Sequence, residues 1–467
     1  MSSFTRVRAA GAAAFACLLL APMLAPALAR AALLMSDNTP FPRSSLIVGA
    51  AWSSRQHGPP SNQFGDILPT IWADDGNQYT IMDDGGTGTA AGRLWKQSVA
   101  RITGTPPRIH FVHVGNPSNP APHSYAQIKH NRSLWNGPLG PYYSSGLVEA
   151  HHVFYATQER DWPWGSNGTF TGLQGIAYST NRGQTWNSGG HTFPAPLGNL
   201  SWVIRGRGGN YVDGWVYAIA TEREFNATTL IMGRSRPRIV QMTNPSSWQW
   251  VSGFENHQGQ PWPVYSSSLA DAVPIARWPS HITYPQMAYD APLHHYLLTF
   301  TYSYAPAPPL LWRDGSELVI MVAPHPWGPF SFVAREPFFG PSNGYAAGFP
   351  LSWISRNGRS LWLKWSANFD GCASGLRCWG GYGFDYRQIQ LTLAGGRAAL
   401  RRVTGHTQNL NTSLTGSAAS LLSHDRFDGH APAHGRRPAE RGDPGVRVRR
   451  VPRRALPTVD PERFGAH

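Results

Sequence analysis

Short apolar and aromatic runs alternate with clusters of Gly, Pro, Asn and Ser between residues 44 and 394. Typical runs cover residues 214–220, 295–300 and 360–366. Apart from an apolar segment at the N-terminus, no stretch keeps a helical period over three turns. Short strands separated by regular turn signals predict an all-β sandwich, barrel or propeller.

The strand clusters fall into five groups of similar length, and this repetition predicts a five-bladed β-propeller over residues 44–394. The segment 179–186 reads S-T-N-R-G-Q-T-W. It resembles the Asp-box hairpin of sialidase-type propellers, S-x-D-x-G-x-T-W, with Asn in place of Asp. That hairpin is a folding device on a blade and carries no catalysis. The five groups cover residues 46–115, 146–197, 198–255, 264–336 and 345–394.

Both ends of the chain differ from this domain in composition. Residues 1–29 combine a basic start, an apolar run and a small-x-small site, which predicts a signal peptide. The same run could instead remain as a membrane anchor. We therefore expect a secreted, extracellular protein, or a periplasmic or envelope protein in a Gram-negative cell. Residues 401–467 are rich in Arg, Pro and Gly and predict a disordered basic tail.

The formal net charge of +14 is misleading for the predicted domain, because the tail alone holds twelve Arg and six acidic residues. The charge that remains does not indicate a nucleic-acid binder. Phosphate-binding loops, zinc-type His pairs and a Ser nucleophile elbow are absent from the sequence, which disfavours kinases, dehydrogenases, metalloproteases and esterases. We expect no cofactor, no metal, a monomer, and no membrane contact beyond an uncleaved leader.

Acidic residues are concentrated near the start of the domain, where five of the 26 lie within residues 66–84. Two apolar runs around a turn near Asp75 predict a β-hairpin. Pairing across this turn places Asp66 opposite Asp84 or its neighbours, with Cβ atoms roughly 4.5–5.5 Å apart. Asp74 and Asp75 lie near the tip, too far along the strands to share a reacting bond with that pair.

Paired carboxylates matter because glycosidic bonds are usually cut by two carboxyl groups, one acting as acid and one as base or nucleophile. The hairpin geometry therefore selects Asp66 and Asp84 as candidate catalytic residues. The alternative is that all five acidic residues serve turns and solubility.

Aromatic and polar residues at predicted strand ends are candidates for substrate binding. Trp72 shares a strand with the acidic cluster, and flat aromatic rings stack on the C–H faces of sugars. Glu222 is the favoured third carboxylate, because it follows a predicted inner strand. Packing between blades and hydrogen bonding within the fold are the alternative roles for such residues. The candidates are Trp72, Asp83, Glu222, His281 and Tyr284.

Residues 65–85 read G-D-x-x-P-x-x-W-A-D-D-G-x-x-Y-T-x-x-x-D-G. This run resembles the hallmark of a bacterial five-bladed propeller family, formerly a domain of unknown function and now associated with endo-D-arabinanases. Residues 175–179, 315–318, 323–329 and 386–393 are similar to its later blades.

The resemblance implies a glycoside hydrolase that cleaves a furanose-rich polysaccharide, D-arabinan, with two aspartates that match Asp66 and Asp84. Two positions depart from the family. It usually has Trp where this chain has Leu68, and Gly-Asp-Gly where this chain has Asp-Asp-Gly at 83–85. An extra carboxylate beside Asp84 would increase repulsion. The alternative function is a non-catalytic glycan-binding or envelope-associated propeller.

The cysteines give the first testable prediction. Removing the leader leaves Cys372 and Cys378, and their proximity in an oxidising compartment favours a disulfide that closes a small loop. Mass spectrometry of the unreduced mature protein should find both cysteines linked within one peptide. Two free thiols would argue against secretion or against the loop.

Overall fold

The structure is a computed structural model that describes residues 39–60, 63–87, 95–114, 143–159, 174–194, 197–209, 211, 213–303, 316–336, 344–367 and 383–395. Three predictions lie outside these residues: the signal peptide over 1–29, the basic tail over 401–467 and the disulfide between Cys372 and Cys378.

Antiparallel strands make up almost all of the described secondary structure. The described helices are α1 Ile239–Thr243 and the 3₁₀ turns Arg207–Gly209, Pro245–Ser247, Leu269–Asp271 and Leu351–Trp353. None of them has the length and apolar character needed to cross a membrane. The strands are β1 Ile47–His57, β2 Gln63–Asp66, β3 Thr70–Trp72, β4 Gln78–Thr87, β5 Trp95–Thr105, β6 Arg108–Val114, β7 Leu147–Ala150, β8 Val153–Glu159, β9 Gln174–Ser179, β10 Asn187–Thr192, β11 Leu200–Ile204, β12 Val216–Thr221, β13 Ala227–Ser235, β14 Gln249–His257, β15 Gln260–Ser266, β16 Ala276–Asp290, β17 His295–Ser303, β18 Ser316–Ala323, β19 Ser331–Glu336, β20 Gly344–Gly348, β21 Ser360–Ala367 and β22 Phe384–Leu393.

These strands form the five blades of a propeller, which confirms the predicted fold class. Blade 1 holds β2–β6, with β2 and β3 both paired to β4; blade 2 holds β7–β10; blade 3 holds β11–β15. Blade 4 holds β16–β19, and blade 5 holds β20–β22 together with β1. The first strand of each blade is the inner one, and the inner strands β11 and β16 of neighbouring blades pair in parallel.

The first strand closes the ring. The sequence groups β1 with blade 1, but β1 instead pairs with β22 of blade 5, in a register that joins Ile47 to Leu393 and Trp52 to Ile389. The two ends of the described domain therefore belong to one sheet. The repeat is consequently offset by one strand from the predicted grouping.

Each pair of neighbouring blades shares a buried hydrophobic cluster, and five such clusters fill the five interfaces. The cluster between blades 4 and 5 includes Leu297, Leu363 and Trp365. The cluster between blades 5 and 1 includes Leu68 and Phe384. Since both faces of a blade are covered, central strands are continuous apolar runs, and all eight residues of β18 are buried.

The turn between β9 and β10 has the hydrogen bonds expected of an Asp-box-like hairpin. The Ser179 hydroxyl accepts from the backbone N–H of Gly183 at 2.8 Å, and the Asn181 side-chain oxygen accepts from that of Thr185 at 2.9 Å. The indole N–H of Trp186 donates to the Gly183 carbonyl at 3.1 Å. Asn thus supplies the acceptor oxygen that Asp would supply, so the substitution preserves the turn.

A substitution between blades 4 and 5 tests how far the domain depends on these interfaces. Leu363→Ala should lower the free energy of unfolding by about 2–5 kcal/mol, because Leu363 is fully buried between two sheets. Urea unfolding followed by tryptophan fluorescence measures the loss. Val48→Ala is the control, since Val48 is 55% exposed and should change stability by less than about 0.5 kcal/mol. Equal losses would contradict the packing described here.

Candidate functional site

The propeller has two chemically different ends. Inner strands begin at one end, called the front here, and the turns between second and third strands return to it. The turns between inner and second strands lie at the opposite end, called the back. The acidic residues of the predicted hairpin divide between these ends, with Asp66 towards the front and Asp74 at the back.

Asp66 lies on the inner strand of blade 1 at an irregularity in the hairpin. The pairing places Thr70 opposite Thr80, which confirms the predicted register, and places Asp66 opposite Asp83. A β-bulge precedes Asp66, where Gly65 has φ of 124°. A Cβ at that position would lie 2.8 Å from the Asp83 carbonyl oxygen, so the position requires glycine.

Two tyrosines connect Asp66 to a second carboxylate. The Tyr345 hydroxyl, from blade 5, donates to Asp66 Oδ2 at 2.7 Å. The Tyr284 hydroxyl, from blade 4, donates to Glu224 Oε1 at 2.6 Å, and the two tyrosine rings lie 5.8 Å apart between centroids. Glu224 lies in the turn between β12 and β13 of blade 3 and is 5% exposed. We call Asp66, Tyr345, Tyr284 and Glu224 the front row.

Strained backbone surrounds the front row. Left-handed φ values are uncommon for residues other than glycine, and for a β-branched residue they are outliers that cluster at functional sites. Ile67, Leu68, Tyr284 and Ala346 have φ of 59°, 54°, 45° and 50°. Ile67, Tyr284 and Ala346 also form a small buried cluster with Tyr345. The surrounding fold therefore holds this region in conformations that isolated strands avoid.

Lys364 lies behind the contact between Asp66 and Tyr345. Its side chain is 2% exposed, and Nζ donates to the carbonyl oxygens of Ile67 at 3.1 Å and Ala346 at 2.7 Å. Burial lowers the pKa of Lys364 to about 7. Both carbonyls belong to left-handed residues, one in blade 1 and one in blade 5.

The other predicted carboxylates have different surroundings. Asp83 is buried, and its Oδ2 accepts from the backbone N–H of Ser144 at 2.7 Å. Ser144 lies in the segment that leads into the first strand of blade 2. Glu222 accepts from the backbone N–H groups of Thr228 and Thr229, and also from the Thr229 hydroxyl at 2.7 Å. Its carboxylate thus fastens the start of β13. The backbone of Asp84 belongs to β4, but its side chain lies outside the described part of the chain.

Of the predicted binding residues, Tyr284 belongs to the front row and the two remaining aromatic candidates do not. The His281 ring is stacked between Trp278, at 4.6 Å, and Tyr302, at 4.3 Å. Burial lowers the pKa of His281. Trp72 lies next to the back turn, where its indole N–H donates to the Gly76 carbonyl at 3.2 Å.

Three residues of the site are not selected by the sequence argument: Glu224, Tyr345 and Lys364. Glu224 lies two positions beyond the chosen Glu222, in a turn where the side-chain direction does not follow strand alternation. Tyr345 is the second residue of the inner strand β20. An aromatic residue at the start of an inner strand could have been chosen from sequence as a candidate for the site. Lys364 is a single charge inside an apolar run, a pattern also typical of an outer strand.

A polar cluster at the back joins blades 1 and 2. Asp74 contacts the ring of His152, and the Arg182 guanidinium donates to Asp74 Oδ1 at 2.9 Å. Glu149 Oε2 accepts from the backbone N–H of Asp74 at 2.8 Å. One ligand atom from each of Asp74, Glu149 and His152 lies within 4.8 Å of the others, so these residues are the described set that could hold a metal ion. Arg182 already neutralises part of their charge.

The two carboxyl groups of this back cluster have opposite pKa shifts. Burial, followed by the charge of Asp74, raises the pKa of Glu149 to about 7. Burial alone would also raise the pKa of Asp74, but hydrogen bonds from His152 and Arg182 outweigh it and lower that pKa to about 2. Asp74 is therefore an anchored anion, and Glu149 is the titrating member of the pair.

A cavity of about 860 Å³ lies between blades 2 and 3. Phe193 and Trp250 form part of its wall, and Glu222 also borders it. No front-row residue lines this cavity. Glu222 is the single carboxylate among the described residues that line the cavity, so this cavity does not offer a pair of carboxyl groups.

Comparisons with known proteins show distant similarity. No protein-family model matches the chain, and no curated protein does. Among solved structures, the α-L-arabinofuranosidase PaAbf62A from Podospora anserina in complex with cellotriose aligns over 75% of this chain and 99% of its own, with 10% identity and a TM-score of 0.39. CoXyl43, a GH43 β-xylosidase/α-arabinofuranosidase from a compost metagenome, aligns over 74% and 94%, with 13% identity and a TM-score of 0.39. A GH62 α-L-arabinofuranosidase from Coprinopsis cinerea aligns over 75% and 98%, with 10% identity and a TM-score of 0.38.

The back cluster generates a prediction about pH. Because the pKa of Glu149 rises from its ordinary 4.5 to about 7 on folding, its contribution to stability is complete below pH 4.5 and is lost as pH rises through 7. Glu149→Gln should therefore flatten the stability profile over that window, by up to about 3 kcal/mol. Urea unfolding at several pH values measures the difference between the two proteins. Parallel profiles would contradict the assignment.

Proposed function

We propose that this protein is a glycoside hydrolase that cleaves a furanose-rich polysaccharide, with D-arabinan as the substrate suggested by the resemblance of residues 65–85. The observation that best supports hydrolysis is the front row. Carboxylates from blades 1 and 3 accept from tyrosine hydroxyls at one end of the propeller, next to left-handed backbone at Ile67, Tyr284 and Ala346. Two positioned carboxyl groups are what glycosidic cleavage requires.

In this proposal Asp66 is one member of the catalytic pair and Asp84 is the other. Asp84 is supported by the hairpin spacing and by the resemblance. Glu224 is a competing partner for Asp66, since it is the second carboxylate of the front row. The distance between the two acting carboxyl groups sets the outcome: about 5–5.5 Å gives retention through a covalent intermediate, and about 6.5–9.5 Å admits water and gives inversion.

The proposal includes the setting of the enzyme. The leader over residues 1–29 is removed on export, and the mature monomer acts outside the cell on polysaccharide without a cofactor. Trp72, Asp83, Glu222, His281 and Tyr284 are the proposed substrate-binding residues from sequence, and Tyr284 has the strongest structural support because it belongs to the front row.

A non-catalytic glycan-binding propeller is the competing function. Sugar binding alone requires aromatic and hydrogen-bonding side chains, but it does not require two positioned carboxylates. Left-handed Ile67 beside Asp66 favours catalysis, because such strain is kept where geometry must be fixed.

Amide substitutions test the assignment. Asp66→Asn should reduce the release of oligosaccharides from arabinan by about 10³-fold or more, because the shape is kept while the proton or nucleophile chemistry is removed. Asp84→Asn and Glu224→Gln identify the partner: the one with a comparable loss carries the second role. Reducing-sugar release and chromatography of products measure activity on arabinogalactan, arabinan and unrelated polysaccharides.

Glu255→Gln is the control, since this acid is exposed on β14 of blade 3 and has no role in the proposed site. It should change kcat by less than about threefold, as expected for a group outside the reacting pair. Binding to polysaccharide without any product release would favour the glycan-binding function. Wild-type activity in Asp66→Asn would overturn the assignment of Asp66.

A further inference from the structure

Lys364 connects the two blades that supply the contact between Asp66 and Tyr345. It lies on β21 of blade 5, and its ammonium group donates to one carbonyl of blade 1 and one of blade 5. These carbonyls belong to Ile67 and Ala346, which directly follow Asp66 and Tyr345 in the chain. The side-chain hydrogen bond at the front row and the two ammonium contacts therefore connect the same two short segments.

We propose that Lys364 is a positioning residue for Asp66, which it holds in the geometry needed for glycoside hydrolysis by fixing the backbone of Ile67 and Ala346. The effect on hydrolysis rests on the proposed function. The effect on the hydrogen bond between Asp66 and Tyr345 does not depend on activity.

The energetics favour a specific role over simple packing. A buried ammonium group is costly in free energy unless it is hydrogen-bonded. The Lys364 side chain is only 2% exposed, so its hydrogen bonds matter. Its strand neighbours Leu363 and Trp365 pack in the apolar cluster between blades 4 and 5, and alternation along the strand turns Lys364 to the other face, towards blade 1. The ammonium group is matched to two carbonyls that left-handed backbone directs towards it.

The backbone at these carbonyls explains why an anchor is required. Ile67 has φ of 59° and Ala346 has φ of 50°, conformations that residues with a Cβ avoid unless surrounding structure stabilises them. Without the two donors, both segments should relax towards extended backbone. Relaxation of Ile67 would rotate the adjacent Asp66, whose Oδ2 now lies 2.7 Å from the Tyr345 hydroxyl.

Lys364→Met removes the donors but keeps an unbranched side chain of similar length. We expect kcat on the polysaccharide to fall by about tenfold to a hundredfold, as for a misplaced reacting group, while KM changes by less than about threefold. Leu363→Ala is the matched control: it is the preceding residue, fully buried, and weakens the domain without touching either carbonyl. It should lose stability and keep its kcat at a temperature where it remains folded.

A crystal structure of Lys364→Met supplies a readout that does not depend on activity. We expect the distance between Asp66 and Tyr345 to exceed hydrogen-bond length and Ile67 to leave the left-handed region. Retention of both features, or a kcat equal to that of wild type, overturns the proposal. If Lys364→Met does not fold, Lys364→Gln is measured in the same two ways. Its amide nitrogen lies one bond closer to the backbone than Nζ, so we expect it to lose at least one of the two carbonyl contacts and to reduce kcat, and retention of both contacts with a wild-type kcat overturns the proposal.

Failure of the proposed function is distinguishable from failure of this inference. If wild type releases no product from any polysaccharide, the hydrolase assignment fails. The role of Lys364 is then decided by the crystal structure alone: a lost contact between Asp66 and Tyr345 supports it, and a retained contact overturns it.

Discussion

Closure of the ring is the constraint on which the rest of this structure depends. Each blade is buried on both faces by its neighbours, so every interface needs the other four to keep its apolar surface covered. Pairing of β1 with β22 joins the first described strand to the last and completes the fifth blade. The front row also depends on closure of the ring, because its four residues come from blades 1, 3, 4 and 5 and no single blade can assemble it.

Local patterns were sufficient for the parts of the fold that local interactions determine. The hairpin register around Asp75 follows from a turn and two apolar runs, and the pairing of Thr70 with Thr80 agrees with it. The Asp-box-like turn is likewise encoded within residues 179–186. Pairing of β1 with β22 joins residues more than three hundred positions apart. No local pattern specifies such a partner, since the sequence of an edge strand has the same alternation of residue types whichever strand it pairs with.

The site shows the same division between local and long-range information. Asp66 could be selected from sequence because carboxylate spacing in a hairpin is a local property. The choice between Glu222 and Glu224 depends on side-chain directions within a turn, where Glu222 bends back onto β13 and Glu224 reaches Tyr284 of the next blade. Lys364 is recognisable only after two left-handed residues from different blades bring their carbonyls together.

The hairpin carboxylates at the two ends of the propeller have different hydrogen-bond partners. At the back, a cation and a histidine hold Asp74 and lower its pKa to about 2, which makes it a poor proton carrier near neutral pH. At the front, the Tyr345 hydroxyl donates to Asp66 Oδ2, so a neutral donor from another blade helps to orient this carboxylate. The same hairpin thus carries a carboxylate anchored by a cation at the back and, at the front, the carboxylate to which the proposed function gives a catalytic role.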